Sequence, residues 1–336
     1  MRNLYIISIN HQTHCAEERI KLDLSTEAWE ELFAFLTFKL GAEGFVLLRT
    51  CNRIELYYEA DQNWTSRIKE KWNSLVSSTQ NFEGMESVQT YDGYRACIEH
   101  LLQLSVGFKS AIYGDDQILS QLKKAFEQAR SNKSMSTLLE RSYQSVMRFH
   151  KKVCRDTDFK SHTISLAYQA LKSARFSLGS DRLAEKNVLI IGAGDMAAQV
   201  VKYLPKFKFG SISITNRTQS KAKRLVQNKK ITVVAYEQLE IKSYDIIISC
   251  TDQGYSLLSN WSNVDYYIDL SLHSASIGPI STSHIVLAEL QQSINERNVD
   301  RMKSVGRVYE ILENRVEGFE GWCSRWHERS ARVSAL

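Results

Sequence analysis

Asn187-Val188-Leu189-Ile190-Ile191-Gly192-Ala193-Gly194-Asp195-Met196-Ala197 is the stretch on which the fold turns. The first five residues form an uninterrupted apolar run, as suits a parallel strand buried on both faces. G-x-G-x-x-A follows at once and opens a helical pattern that runs to Tyr203. Glycines in that setting let backbone N–H groups approach a pyrophosphate at a helix N-terminus, where the helix dipole favours negative charge. Glycine spacing alone is weak evidence, and the strand before it and the helix after it strengthen it. Further strands are expected at 211–215, 231–234, 244–249 and 266–270, as a doubly wound sheet requires. The second strand ends in Asn216-Arg217-Thr218, where an NAD site would commonly carry an acid for the ribose 2′-hydroxyl. Arginine and a hydroxyl suit a 2′-phosphate, so the expected cofactor is NADPH. A capping Thr218 beside a solvated Arg217 is the competing explanation. Cys250 falls at a strand end near the expected crevice, where a small buried residue would serve equally well.

Upstream lies a different pattern. Residues 4–9 suit a strand, and Ser25 can cap a helix with Trp29, Leu32, Phe33, Leu36 and Leu40 on its apolar face. Phe45-Val46-Leu47-Leu48 and Ile54-Glu55-Leu56-Tyr57-Tyr58 are two more strands, with Thr50-Cys51-Asn52-Arg53 at the bend between them. A helix over 65–76 and a strand over 87–91 complete β-α-β-β-α-β, a ferredoxin-like α+β arrangement with helices on one face of an antiparallel sheet. A thiol at the bend can be exposed, and a neighbouring guanidinium would favour its thiolate, the form that acts as a nucleophile. Most free cysteines are simply small buried apolar residues. Residues 93–178 are expected to be nearly continuous helix. His100 lies there on an apolar face, a position that a core histidine also fills. A helix over 137–154 carries Arg141, Arg148, His150, Lys151 and Lys152, as an anion-binding or merely solvated face. From Ile285 to about Arg329 the chain again looks helical. There Val305, Val308, Leu312, Val316, Phe319, Cys323 and Trp326 recur at spacings of three and four, a seam for an intramolecular or a subunit contact.

Composition narrows the class. The 336 residues suffice for two or three domains, and 43 basic against 38 acidic residues permit a polyanionic partner without demanding one. No apolar run reaches the ~18 residues of a membrane span. Six cysteines, at 15, 51, 97, 154, 250 and 323, show no metal-site spacing and no C-x-x-C. This pattern fits a reducing cytoplasm without disulfides, and no metal is called for.

Several motifs in one order resemble glutamyl-tRNA reductase: Ile9-Asn10-His11-Gln12-Thr13, Thr50-Cys51-Asn52-Arg53, His100-Leu101-Leu102 leading to Ser110, Gly114-Asp115-Asp116-Gln117-Ile118-Leu119-Ser120-Gln121, and the Gly192 turn with Asn216-Arg217-Thr218. The resemblance implies three parts. A catalytic domain spans 1–160, an NADPH-binding Rossmann domain 161–284, and a long C-terminal helix with a shortened dimerisation region 285–336. It implies NADPH-dependent reduction of glutamyl-tRNA(Glu) to glutamate-1-semialdehyde through a Cys51 thioester, with His100 important for activity. Thr50, Asn52, Arg53, Ser110, Asp115, Asp116, Gln117 and Gln121 would surround the glutamyl group, Arg53 by gripping its carboxylate. Gly192, Ala193, Gly194, Asp195, Met196 and Ala197 would hold the cofactor. Homodimerisation, haem regulation and docking to glutamate-1-semialdehyde aminomutase are further implications. Asp115-Asp116 replaces the family's Glu-Pro, Leu270-Ser271-Leu272-His273 replaces its usual segment after Asp269, and the chain stops at Leu336. The tRNA would contact the 141–155 helix and the run Lys221, Lys223, Arg224. A non-catalytic tRNA-binding relative and a small-molecule dehydrogenase of the shikimate dehydrogenase type are the alternatives.

Overall fold

Alternation in two neighbouring strands sets up the first half of the molecule. In the computed structural model, which describes residues 2–76, 85–160, 165–227, 229–239, 243–251, 264–271, 283–296 and 299–334, the chain divides into two units. One comprises Met1–Thr163 with Asn298–Leu336, the other Ile164–Arg297. Leu272 and His273, part of the departure noted after Asp269, lie outside the described residues.

The first unit holds an antiparallel sheet of β1 (Asn3–Asn10), β2 (Gly44–Arg49), β3 (Arg53–Ala60) and β4 (Gln89–Asp92), in the order β2-β3-β1-β4. That order is ferredoxin-like. Residues Tyr5, Ile7, Ile9, Ile54, Leu56 and Tyr58 point to one face. They pack under α1 (Ala16–Leu22), α2 (Thr26–Ala34) and α3 (Thr65–Val76). Ser25 caps α2 as its sequence suggests, accepting from the Ala28 N–H at 3.2 Å. The alternate residues Leu4, Ile6, Val46, Leu48 and Tyr57 are equally buried. Their cover is α4 (Tyr94–Ser105), α5 (Gln117–Ser131), α6 (Thr137–Asp156) and α11 (Val299–Ser334). Helices therefore enclose both faces, not one. A half-polar strand such as Ile54–Tyr58 conceals this, because its polar members are buried too.

The terminal helix supplies part of that second cover. Its seam residues Val308, Leu312, Val316, Phe319 and Cys323 belong to the core of the first unit, alongside α4 and α6. The seam is thus intramolecular.

In the second unit α7 (Leu166–Leu178) precedes β5 (Asn187–Ile191), α8 (Asp195–Tyr203), β6 (Ser211–Thr215), α9 (Gln219–Leu225) and β7 (Thr232–Val234). Then come β8 (Ile246–Ser249), β9 (Tyr266–Asp269), β10 (Ser283–Val286) and α10 (Leu287–Glu296). All the strand pairs are parallel, in the order β10-β9-β8-β5-β6-β7. This is the two-half order of dinucleotide-binding sheets, with the reversal between β5 and β8. β10 is a strand where sequence suggested the start of a helix. Four residues are too few to show a period, and pairing with β9 decides the matter.

Candidate active site

Two turns are stitched together at one end of the first sheet. Between β2 and β3 the Thr50 N–H donates to the Arg53 carbonyl at 2.9 Å. The Thr50 hydroxyl oxygen accepts from the N–H groups of Asn52 at 3.2 Å and Arg53 at 3.1 Å. A hydroxyl bonded to its own downstream backbone closes the turn locally. Cys51 is left exposed at its tip. The His11 N–H, just past β1, donates to the Asn52 carbonyl at 3.0 Å. Arg19 of α1 is buried and spans both turns, donating to the His14 carbonyl at 2.7 Å and the Cys51 carbonyl at 3.4 Å. Burial and the charges of Arg53 and Arg19 hold the His11 imidazole down to a pKa of about 4, so the ring is neutral at pH 7. Its Nδ1 is buried without a hydrogen-bond partner.

Beneath this tip lies a buried carboxylate. Arg53, Glu55 and Tyr57 share a face of β3, and Asn10 and Ser8 lie opposite Arg53 and Glu55 on β1. Glu55 is fully buried. It accepts from Arg53 Nη1 at 2.6 Å, Ser8 Oγ at 2.8 Å and the Tyr57 hydroxyl. His100 Nε2 of α4 lies 3.1 Å from both its oxygens. Burial alone would raise the Glu55 pKa. The charges of His100 and Arg53, with the bonds from His100 and Tyr57, reverse this and hold it well below the usual carboxylate range. The carboxylate makes Nε2 the donor of the imidazole, while Nδ1 is buried with no hydrogen-bond partner. Arg53 turns inward to this network, and its Nη2 donates to the Lys109 carbonyl. Arg19 is a cation that reaches the Cys51 turn directly.

The Lys109 contact joins the corner to the loop after α4. Gly107 (φ +82°) and Gly114 (φ +77°) close that loop, with the Gly114 N–H on the Gly107 carbonyl at 3.0 Å. A Cβ on Gly107 would strike the Asp115 backbone, and one on Gly114 the Arg301 guanidinium. Ser110 lies inside the loop, its N–H on the Gly107 carbonyl at 3.3 Å. Asp115 accepts from the Gln117 N–H at 3.0 Å, fixing the start of α5. Gln121 follows one turn on. Two buried cations fasten the loop from behind. Lys160 donates to the carbonyls of Gly114 at 3.1 Å and Asp115 at 3.3 Å and pairs with Asp116. Arg301 of α11 donates to the Tyr113 carbonyl at 2.7 Å. Burial raises the Asp115 pKa, against the Gln117 bond and the Lys160 charge. The Asp115-Asp116 departure thus comes with a lysine that answers its second carboxylate.

Thr50, Cys51, Asn52, Arg53, His100 and Ser110 are therefore linked through Glu55 and Lys109, and Asp115, Asp116, Gln117 and Gln121 share the loop and helix that follow. Sequence reasoning missed Glu55, Arg19, Lys160 and Arg301 as parts of this site. The available signal was Glu55 itself, an acid among apolar strand neighbours.

In the second unit the site is made of backbone. Gly192 has φ +110°, and a Cβ there would lie 3.0 Å from the Cys250 carbonyl, so only glycine fits the turn. Gly194, the N-cap of α8, has open space where a Cβ would be, leaving room for a phosphate at the helix N-terminus. Ala193, Asp195, Met196 and Ala197 complete the turn and the first residues of the helix. These residues fit a dinucleotide. After β6, the Asn216 side chain donates to the Thr218 carbonyl at 2.9 Å, and Arg217 is exposed. Thr218 is the N-cap of α9 but makes no side-chain capping bond, against the simple capping explanation. Burial, with the Asp269 charge adding to it, pushes the Cys250 thiol well up and keeps it protonated. No group of three or more metal-ligating side chains occurs among the described residues, nor any helix long and apolar enough to cross a membrane.

A dinucleotide-binding sheet in one unit and a thiol raised over a buried charge network in the other define a two-part oxidoreductase. Family models match at residues 7–157, described as the N-terminal domain of glutamyl-tRNA(Glu) reductase, and at residues 171–267, described as shikimate/quinate 5-dehydrogenase. A glutamyl-tRNA reductase of Pseudoalteromonas translucida is 31% identical over 333 residues, covering 94% of this chain and 78% of that protein. One from Pseudoalteromonas atlantica is 27% identical over 336 residues, covering 95% and 78%. The solved glutamyl-tRNA reductase of Methanopyrus kandleri shares the fold, with a TM-score of 0.57 at 21% identity over 98% of this chain and 82% of that one. The chain belongs to the glutamyl-tRNA reductase family.

Proposed function

We propose that the protein reduces the glutamyl ester of tRNA(Glu) to glutamate-1-semialdehyde, the first step of the five-carbon route to tetrapyrroles, through a thioester on Cys51. The observation that carries this reading is the exposed Cys51 at the tip of a turn held from both sides, in a chain of this family. The Cys51 thiolate attacks the ester carbonyl. A carbon–sulfur bond forms, the carbon–oxygen bond to the ribose breaks, and the tRNA leaves as its hydroxyl after taking up a proton. Gly192–Ala197 would hold NADPH, which would supply the hydride. The acyl carbon, reduced by two electrons, then expels Cys51 as the thiolate, and the aldehyde is released.

The other residues act by holding and orienting. Arg19 and Thr50 fix the Cys51 turn, and His11 stands as a neutral imidazole in the same corner. His100 acts through Glu55 as a positioning residue, and Arg53 keeps Lys109, and with it Ser110, in place. We assign Asn52, Ser110, Asp115, Asp116, Gln117 and Gln121 to the glutamyl group. Preference for NADPH over NADH rests on Arg217 and the Thr218 hydroxyl, which makes no capping bond. The cytoplasm, the aminomutase as a receiver of the product and a homodimer complete the reading. Such a dimer would use the outer face of α11, where Met302 and Tyr309 are exposed, because its inner seam is covered.

The test is anaerobic mixing with glutamyl-tRNA and NADPH. Oxidation that requires the charged tRNA, and disappears in Cys51→Ser, supports the reading. Oxidation driven by free small acids and indifferent to Cys51 would replace it with a small-molecule dehydrogenase.

A further inference from the structure

Buried cations elsewhere in the first unit have anionic or carbonyl partners. Arg53 has Glu55, Lys160 has Asp116, and Arg301 has the Tyr113 carbonyl. One group of arginines, two half-buried (Arg141, Arg315) and two exposed (Arg148, Arg325), is treated differently. α6 contributes Arg141 and Arg148, seven residues apart, and α11 contributes Arg315 and Arg325. The helices meet through Val146, Phe149, Val316 and Phe319, and the arginines flank that seam. None of the four has an ion pair with a carboxylate among the described residues, and Arg141 Nε is buried with no hydrogen-bond partner. Three acids of the neighbourhood are engaged elsewhere: Glu313 and Glu320 by Arg95, and Glu140 by Arg130. Burial and then the charge of Arg148 lower the pKa of both Arg141 and Arg315, which marks the guanidiniums as mutually repelling neighbours. The Arg141 guanidinium lies 5.1 Å from the Trp322 ring centroid. Trp322 in turn stacks on Trp326 at 5.7 Å with the rings 7° from parallel.

Converging cations whose neighbouring acids are occupied weaken the folded state, and a bound anion removes the penalty. Guanidinium forks match phosphate oxygens, and a flat indole pair offers a platform for a base. We propose that the face formed by α6 and α11 is a tRNA-contact surface, binding backbone phosphates at Arg141, Arg148, Arg315 and Arg325 with a base or ribose against Trp322 and Trp326. The inference rests on glutamyl-tRNA as substrate and adds where the nucleic acid is gripped, apart from the glutamyl pocket.

The test uses the full chain and uncharged tRNA(Glu). Binding is measured across a salt series for wild type and for the combined variant Arg148→Ala, Arg315→Gln, Arg325→Ala. The dissociation constant is expected to rise by about tenfold or more, and the slope of its logarithm against log salt to fall by about 1 per lost contact. The KM for glutamyl-tRNA should rise with it. Thermal stability should hold or increase, because like charges are removed. Arg148→Lys with Arg325→Lys should restore most of the slope. An unchanged affinity and slope, in a wild type that reduces glutamyl-tRNA, would overturn this face and leave the reductase reading standing. Dissociation of a dimer by the variant, with tRNA affinity unaltered, would assign the face to a second copy instead. A wild type that neither binds tRNA nor reduces its ester would remove both.

Discussion

The Cys51 corner and the Gly192 turn are built from opposite materials. At the corner, function depends on side chains that the fold has to bury and pair: Glu55 meets Ser8 from β1, Arg53 and Tyr57 from its own strand, and His100 from α4. At the Gly192 turn, function depends on side chains that are missing, so that open space is left at Gly194, the N-cap of α8. The first kind of site is coupled to stability, because a buried charge needs its partner. The second is coupled to backbone conformation and little else.

Substitutions can break that contrast. The largest stability effect is expected from Glu55→Gln, which leaves Arg53 buried without a counter-charge. A loss of about 3–5 kcal/mol is expected for a broken buried pair, read by denaturant unfolding, with a matching fall in turnover. A neutral outcome would mean that Glu55 is not the hub of the corner. Gly192→Ala comes next. Its φ of +110° and the Cys250 carbonyl oppose a methyl group, so a cost of about 1–3 kcal/mol and a sharp rise in the NADPH dissociation constant are expected, while tRNA affinity stays constant. Arg217→Ala should touch only cofactor choice, reducing the preference for NADPH over NADH by about tenfold, the worth of roughly 1.4 kcal/mol, as read from KM ratios. If the two cofactors are used equally by wild type, the 2′-phosphate assignment fails.

The last effect is a pH dependence. The His11 pKa is lowered from 6.5 to about 4 in the folded protein, so the unfolded chain takes up the proton first as pH falls. Stability contributed by the neutral ring is present above about 6.5 and declines between there and about 4. His11→Gln should flatten the stability profile in that window and leave it unchanged at pH 8. An unaltered slope would show that the ring is not held neutral.

The same contrast explains what could be read in advance. The Gly192 turn was legible because strand, glycines and helix are consecutive, each within a few residues of the next. The ferredoxin-like order of the first sheet was legible for the same reason. The environment of Arg53 was not: its neighbour in sequence is Cys51, but its partners are Glu55 and a carbonyl at 109, set by which face of β3 it occupies. Arg301 reaches Tyr113 across 188 positions, and no local pattern announces such a contact. The second helical layer escaped notice because buried Ser8 and Glu55 look like surface residues until their partners are seen.

The central claim is that Cys51 carries the substrate as a thioester. The direct measurement is to incubate the protein with tRNA bearing isotopically labelled glutamate in the absence of NADPH, quench in acid, and locate the label. Stoichiometric label on the Cys51 peptide, released by hydroxylamine and absent in Cys51→Ser, is the result this account predicts. Label on another residue, or undiminished reductase turnover in Cys51→Ser, would contradict it.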